Sequence, residues 1–132
     1  LTGVQAVAML GIDDFGAVSA AASPNVPDDV LCAAADAIRA TLRRNDVIVR
    51  YGEDTFLLLL RTISAPAFEE TLERLRRAVE AAAVPDCPAG HVTASIGGVW
   101  GSGAMQDMAR EAAAALERAK ARKNCVEITL EG

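Results

Sequence analysis

Residues 43–61 read RRNDVIVRYGEDTFLLLLR and show the clearest structural pattern in the chain. Two apolar runs, Val47–Val49 and Phe56–Leu60, lie on either side of the pair Gly52-Glu53. Short runs of β-branched and aliphatic residues around a glycine-containing turn are typical of two antiparallel strands. The stretch therefore predicts a β-hairpin.

Strands and helices alternate on both sides of this hairpin. Asp28 and Asp29 stand at the start of a predicted helix, where carboxylates suit the free N–H groups. The order β-α-β-β-α-β-α-β predicts an α/β (α+β) domain of the ferredoxin-like, nucleotidyl-cyclase type, with helices flanking a central, mostly antiparallel sheet. Outside the hairpin the predicted strands are 4–12, 92–100 and 126–130, and the predicted helices are 29–44, 66–82 and 104–122.

Length and composition restrict the classes of function. A chain of 132 residues, 52% hydrophobic, fits one domain over residues 1–132 with one buried core. Its formal net charge is −5 and only 4% of its residues are aromatic. An acidic chain without a basic stripe is a poor candidate for binding DNA or RNA, so we expect neither as a partner.

The cysteines and the ends of the chain predict the cellular compartment of the domain and its place in a larger protein. Cys32, Cys87 and Cys125 are far apart and form no CxxC pair, which is typical of reduced cytoplasmic thiols. No signal peptide or long apolar run is present, so we expect a cytoplasmic domain or the cytoplasmic part of a membrane-attached protein. The absence of an initiator methionine favours a fragment of a larger multidomain protein, or a chain with further disordered residues.

Residues 43–61 resemble the central segment of GGDEF domains, in which RxxD precedes one strand and RYGGDEF precedes another. Other segments resemble further parts of the family in the same order. They are LGIDDF (10–15), DDVL (28–31), VTASIGGV (92–99), ALERAK (115–120) and KN (123–124). The resemblance covers nearly the whole chain except the family's usual first helix, and it implies the family's α/β fold.

The resemblance also implies a metal-dependent reaction, for which one ligand is missing here. GGDEF cyclases join two GTP molecules into cyclic di-GMP, and divalent metals activate the hydroxyl and neutralise phosphate charge. The family supplies one carboxylate from the first strand, where this chain has Gly11, and one from the third letter of GGDEF, where it keeps Asp54. Asp13 lies roughly 6–7 Å further along a strand, too far to replace that ligand. We therefore expect no catalytic residues, no metal ligands and no bound magnesium.

The GGDEF turn departs from the family as well. Gly52 keeps the first glycine, whereas Glu53 replaces the second and Thr55 replaces the glutamate. Glycine at the second position permits a positive φ and a close approach of the nucleotide to the backbone. Glu53 adds bulk and negative charge at that point.

Some nucleotide contacts of the family have counterparts in this chain. By resemblance, Asp28 matches a guanine contact and Lys120 a phosphate contact, while Ser19 stands where the family has a guanine-binding asparagine. Lys123 takes the place of the usual arginine. Each of three residues also has a purely structural interpretation: Asp28 starts a helix, Asp54 suits a turn, and Lys120 lies on a solvated helix face.

The RxxD motif implies a second site, at which family members bind their product. Arg43 and Asp46 occupy its charged positions, with Asp46 six residues before Gly52 as in the family, and Arg74 matches an arginine contributed by the next helix, often from a neighbouring subunit. An arginine can donate two bonds to guanine O6 and N7, and an aspartate can accept from its N1–H and amine. The alternative is a surface ion pair between Arg43 and Asp46.

These observations predict a catalytically inactive GGDEF-like domain that serves as a cyclic di-GMP receptor through Arg43, Asp46 and Arg74. Two alternatives remain at this point: an allosteric module that binds GTP without turnover, and a ligand-free dimerisation or scaffold domain. Besides cyclic di-GMP, the expected partners are a second copy of the chain and attached EAL, GAF or PAS domains. No cofactor is expected.

Overall fold

The computed structural model describes residues 5–16, 26–61, 64–82 and 92–130. Within these ranges the chain forms five strands and three long helices. The strands are β1 (Gln5–Ile12), β2 (Val47–Arg50), β3 (Thr55–Leu60), β4 (Ala94–Gly101) and β5 (Val126–Leu130), and the helices are α1 (Val26–Thr41), α2 (Ala65–Ala81) and α3 (Met105–Arg122). The predicted α/β order is confirmed, with shifts of one to three residues at most boundaries.

The five strands form one sheet in the order β2-β3-β1-β4-β5. Strand β1 lies at its centre and pairs antiparallel with β3 and β4, while β2 pairs antiparallel with β3. Among the strands of the described residues, only β4 and β5 pair in parallel, and α3 connects them. The last residues of β1 therefore lie beside the first residues of β3 and β4, and Gly11 is opposite Thr55 and Ser95. We call this end of the three strands the Gly11 edge.

Alternation along β1 divides the core into two layers, because successive side chains of a strand point to opposite faces. Helices α1 and α2 cover one face, where Ala8 and Leu10 pack against Ile38 and Leu72. Helix α3 covers the other face, where Met9 packs with Leu116. The near absence of aromatic residues is thus compatible with a fully packed aliphatic core.

Helix α3 approaches the sheet closely because Gly97 has no side chain. A Cβ at Gly97 would overlap the backbone nitrogen of Leu116 and would lie 2.5 Å from the carbonyl oxygen of Ala112. On the opposite face a Cβ at Gly98 would lie 2.6 Å from a methyl group of Leu72. The glycine pair of VTASIGGV therefore sets the separation between β4 and the helices on both of its faces.

Residues close in sequence account for where α1 and α2 begin. The Ser64 hydroxyl accepts a 3.2 Å hydrogen bond from the amide of Ala67, and Pro66 lies in the first turn of α2, where its missing N–H costs nothing. Helix α1 begins at Val26, so Asp28 and Asp29 lie in its first turn. No helix within the described ranges is long and apolar enough to cross a membrane.

Candidate functional site

Gly11 lies at the edge of the sheet where the resemblance places a metal-binding carboxylate. The space beside it is already occupied: a Cβ at Gly11 would lie 3.0 Å from Cε of Lys120 and 3.4 Å from a methyl group of Leu116. The backbone of Asp54 is adjacent, since its carbonyl accepts a 3.0 Å hydrogen bond from the amide of Ile12. Three of the residues predicted for the active site, Gly11, Asp54 and Lys120, are therefore neighbours.

Asp13 is buried, with 5% of its surface exposed, and its carboxylate accepts three hydrogen bonds. It accepts hydrogen bonds from the hydroxyls of Thr93 and Ser95, each at 2.7 Å, and from the amide of Asn124 at 2.8 Å. Thr93 and Ser95 lie at the start of β4, and Asn124 follows the end of α3. The carboxylate thus connects the end of β1 to the start of β4 and to the turn after α3.

The side chain of Asn124 continues this network to α2. It accepts a 2.8 Å hydrogen bond from Nη1 of Arg76 and donates one of 2.9 Å to Glu80. Arg76 is 16% exposed and also binds Glu73 at 3.0 Å. The hydrogen bond to Glu73 raises the pKa of Arg76, although desolvation opposes this. A continuous set of polar contacts therefore connects the end of β1 with the C-terminal half of α2.

Lys123 has a different partner from the one the resemblance implies. Its ammonium binds the carboxylate of Asp14 at 2.9 Å on the surface. The hydrogen bond with Asp14, followed by the charge of the same carboxylate, raises the pKa of Lys123. Lys123 also ends α3 with a φ of 65°. In this structure the residue closes the helix and pairs with a carboxylate next to β1.

The turn of the hairpin is held by Arg50, whose role the sequence did not reveal. Its Nε donates to the carbonyl of Gly52 at 2.7 Å, and its Nη2 donates to the carbonyl of Glu53. Among the described residues, positive φ at a non-glycine occurs at Asp14, Lys123 and Asn124, so Glu53 adopts an ordinary conformation. The turn therefore accommodates Glu53 without backbone strain. Thr55 donates its hydroxyl to the Asp54 carboxylate at 3.1 Å.

The RxxD motif forms a compact turn between α1 and β2. The Asp46 carboxylate accepts hydrogen bonds from the amide of Arg43 at 2.8 Å and from the amide of Arg61 at 2.7 Å, and the amide of Asp46 donates to the Arg43 carbonyl at 3.1 Å. The predicted helix over 29–44 has the right length but lies three residues too late, because α1 begins at Val26 and ends at Thr41, where this turn follows. The alternative of an ion pair between the two side chains was wrong, since the carboxylate binds backbone amides instead.

The remaining residues predicted for the two sites are Arg74, Asp28 and Ser19. Arg74 is exposed on α2 and binds Glu70 at 3.1 Å, without a polar contact to the Arg43–Asp46 turn within the described ranges. Asp28 is exposed in the first turn of α1. Ser19 lies outside the described residues. A single copy of the chain therefore assembles the Gly11 edge and the RxxD turn but does not join Arg74 to either.

Comparisons with known proteins agree with this architecture. The sequence profile of the GGDEF family (diguanylate cyclase, GGDEF domain) matches residues 3–125. The diguanylate cyclase DgcP of Pseudomonas aeruginosa is 37% identical over 75 residues, which are 57% of this chain and 11% of that protein. The chain thus corresponds to a small part of that curated relative.

Solved structures show the same fold. The diguanylate cyclase SiaD of Pseudomonas aeruginosa, solved in complex with its activator SiaC, is 31% identical and superimposes with a TM-score of 0.87 over 96% of this chain and 50% of its own. The GGDEF domain of DgcB from Caulobacter crescentus, solved with cyclic di-GMP, superimposes with a TM-score of 0.86 at 23% identity, over 95% of this chain and 77% of its own. The matched profile, which spans most of the chain, and this shared architecture lead to one conclusion. The chain belongs to the GGDEF family.

Proposed function

We propose that this domain is a non-catalytic receptor for cyclic di-GMP, which it binds at Arg43 and Asp46 with Arg74 as a further contact. The observation that carries the proposal is the preformed turn around Asp46. Its carboxylate is fixed by the amides of Arg43 and Arg61, and the guanidinium of Arg43 makes no polar contact within the described ranges. A fixed acceptor beside an uncommitted guanidinium is a suitable arrangement for a guanine edge.

The chemistry of both side chains supports this ligand. Each carboxylate oxygen has two lone pairs, so Asp46 can accept from guanine while it keeps its two amide bonds. The exposed fork of Arg43 can donate to O6 and N7 of the same base. Arg74 would then bind a phosphate or the second guanine, from the same copy or from a neighbouring one. The relative DgcB, which shares the fold, was solved with cyclic di-GMP.

The incomplete metal site supports a receptor over an enzyme. Gly11 carries no carboxylate, Asp13 is buried among three hydrogen-bond donors, and only Asp54 remains of the carboxylates that the family uses. Hard divalent cations require several oxygen ligands, and one carboxylate does not supply them. The residues present therefore do not fit the family's metal, and we infer no route from GTP to cyclic di-GMP on this chain.

Isothermal titration calorimetry with cyclic di-GMP tests the proposal. An affinity near micromolar corresponds to about −8 kcal/mol. Arg43→Ala removes a charge-assisted bidentate contact of about 2–3 kcal/mol, so its affinity should fall by roughly 30-fold to 150-fold. Arg44→Ala is the matched control, because it removes the same charge from the next exposed residue. No heat with the wild-type chain, or equal losses for the two variants, would overturn the proposal.

A further inference from the structure

Strand β5 forms one outer edge of the sheet, and within the described ranges no strand pairs with its free side. The amide of Ile96 on β4 donates a 3.0 Å hydrogen bond to the carbonyl of Cys125, directly before β5. Backbone groups of successive residues in a strand point to alternate sides, so every second residue from Cys125 onward bonds to β4. The N–H and C=O groups of Val126, Ile128 and Leu130 therefore point outward, where a further strand can pair with them.

A groove lies along the same edge, between β5 and the first turns of α2, with a volume of about 450 Å³. Ile128 is opposite Gly98, and a Cβ at Gly98 would point at Leu72 of α2, so alternate residues of β5 face α2. Leu130 is 62% exposed. The groove is lined by Ala65, Pro66 and Glu69 of α2 and by Val126, Ile128 and Leu130 of β5. Apolar side chains and outward backbone groups thus belong to the same three strand residues.

The charge of this groove is negative. Glu69 is exposed and makes no ion pair within the described ranges, whereas the next residue, Glu70, binds Arg74. Glu127 belongs to the α3 face of β5 and pairs with Arg122. The carboxylate of Glu69 therefore remains available beside the groove, on a chain with a formal net charge of −5. Pairing of β5 with β5 of a second copy would bring two acidic chains together, so charge favours a basic partner.

We propose that the free edge of β5 is a docking surface for an extended, basic peptide segment of a partner protein. The segment adds a strand beside β5, places apolar side chains in the groove and pairs a lysine or arginine with Glu69. Backbone donors and acceptors at strand spacing require an extended ligand, whose main-chain hydrogen bonds supply affinity while the groove supplies selectivity. The Arg43–Asp46 turn precedes β2 at the opposite edge of the sheet, so this proposal does not depend on cyclic di-GMP binding.

Selection from a phage-displayed library of random decapeptides tests the proposal and supplies a probe. The wild-type domain should enrich peptides in which apolar residues alternate with other residues and a lysine or arginine is present. Leu130→Pro removes one outward N–H but leaves the bonds from Thr129 to β4, and proline is tolerated on an edge strand. This variant should keep the wild-type circular dichroism spectrum and enrich none of these peptides. No enrichment by the wild-type domain, or the same peptides from the variant, would overturn the proposal.

Charge reversal at the groove tests the role of Glu69. The affinity of an enriched peptide, measured by fluorescence anisotropy, should fall tenfold or more for Glu69→Lys. Glu70→Lys is the matched control, because it makes the same change of net charge one residue further along α2, and it should lower the affinity less than threefold. Equal losses for the two variants would reduce the effect to net charge and contradict the assignment of Glu69.

Amide hydrogen exchange, followed by NMR, distinguishes strand addition from other modes of binding. Saturation with the peptide should slow exchange at the outward amides of Val126, Ile128 and Leu130 tenfold or more, whereas Thr129 already bonds to β4 and should change little. Binding without this protection would contradict an added strand. A wild-type dimer in sedimentation that Leu130→Pro converts to a monomer would assign the edge to self-pairing and overturn the proposal. Arg43→Ala should bind the peptide as the wild type does, which separates this surface from the cyclic di-GMP site.

Discussion

The carboxylate of Asp13 accepts a 2.8 Å hydrogen bond from the backbone amide of Asn124, a residue 111 positions further along the chain. The contact joins the end of the central strand to the turn that follows α3, and the side chain of Asn124 extends it to Arg76 on α2. The residues around the Gly11 edge are therefore positioned by a buried polar network as well as by the sheet.

Asp13→Ala should destabilise the domain strongly. The substitution leaves the hydroxyls of Thr93 and Ser95 and the amide of Asn124 without their buried acceptor, which should lower the free energy of unfolding by about 2–4 kcal/mol. Urea unfolding followed by circular dichroism measures the change. Asp14→Ala removes a neighbouring but exposed carboxylate and should leave the midpoint near its wild-type value. Similar midpoints for both variants would rule out a structural role for the Asp13 network.

Gly97→Ala should disrupt the packing of α3 on β4. The added methyl group overlaps the backbone of Leu116, and a helix backbone cannot yield as a flexible side chain can. We expect a loss of about 3 kcal/mol or more in stability, or a failure to fold. Gly52→Ala is the control, because the nearest atom to a Cβ there is 3.8 Å away. Thermal unfolding of the two variants decides the point, and equal melting temperatures would show that α3 packs differently.

The two charged residues of the RxxD turn should differ in their effect on stability, which Asp46 should support and Arg43 should not. Arg43→Ala removes only an exposed side chain and should change the free energy of unfolding by less than about 0.5 kcal/mol. Asp46→Ala removes the acceptor of two backbone amides and should cost about 1–3 kcal/mol. Denaturant unfolding of both proteins, run beside the cyclic di-GMP titration, provides the measurement. A large loss of stability for Arg43→Ala would mean that this side chain has a structural partner.

The purified domain should form no cyclic di-GMP from GTP and magnesium. The reason is the carboxylate absent at position 11, together with the commitment of Asp13 to its own network. Chromatographic analysis of the reaction mixture detects the product directly. Gly11→Asp alone should also be inactive, since Thr55 and Glu53 still replace two residues of the motif. Product from the unmodified chain would contradict the proposal of a receptor.

Because of the polar network, Arg76 should contribute more to the stability of the domain than its neighbour Arg77. Arg76→Met removes contacts to Glu73 and Asn124 from a largely buried position and should lower the free energy of unfolding by about 1–2 kcal/mol. Arg77 is exposed and contacts the Glu73 carbonyl at 3.4 Å, so Arg77→Met should have little effect. Chemical unfolding compares the pair. Equal stabilities would show that the link from Asn124 to α2 contributes nothing measurable.

The order of the strands and helices and the resemblance to the family could be predicted from the sequence alone. Period-two and helical spacing of apolar residues, with glycines and prolines between them, define local structure, so the hairpin and the three helices were predictable from short segments. The spacing between Asp46 and Gly52 and the presence of glycine at position 11 could also be read from the sequence, because each belongs to a single short motif.

Only the tertiary structure decided which partners these residues have. The hydrogen bond from Asn124 to Asp13 and the position of Lys120 over Gly11 depend on how α3 packs against the sheet. Such contacts join residues that are distant along the chain, and local spacing carries no information about them. For the same reason the sequence left an ion pair between Arg43 and Asp46 open as an alternative, whereas the folded chain brings the amide of Arg61 to that carboxylate.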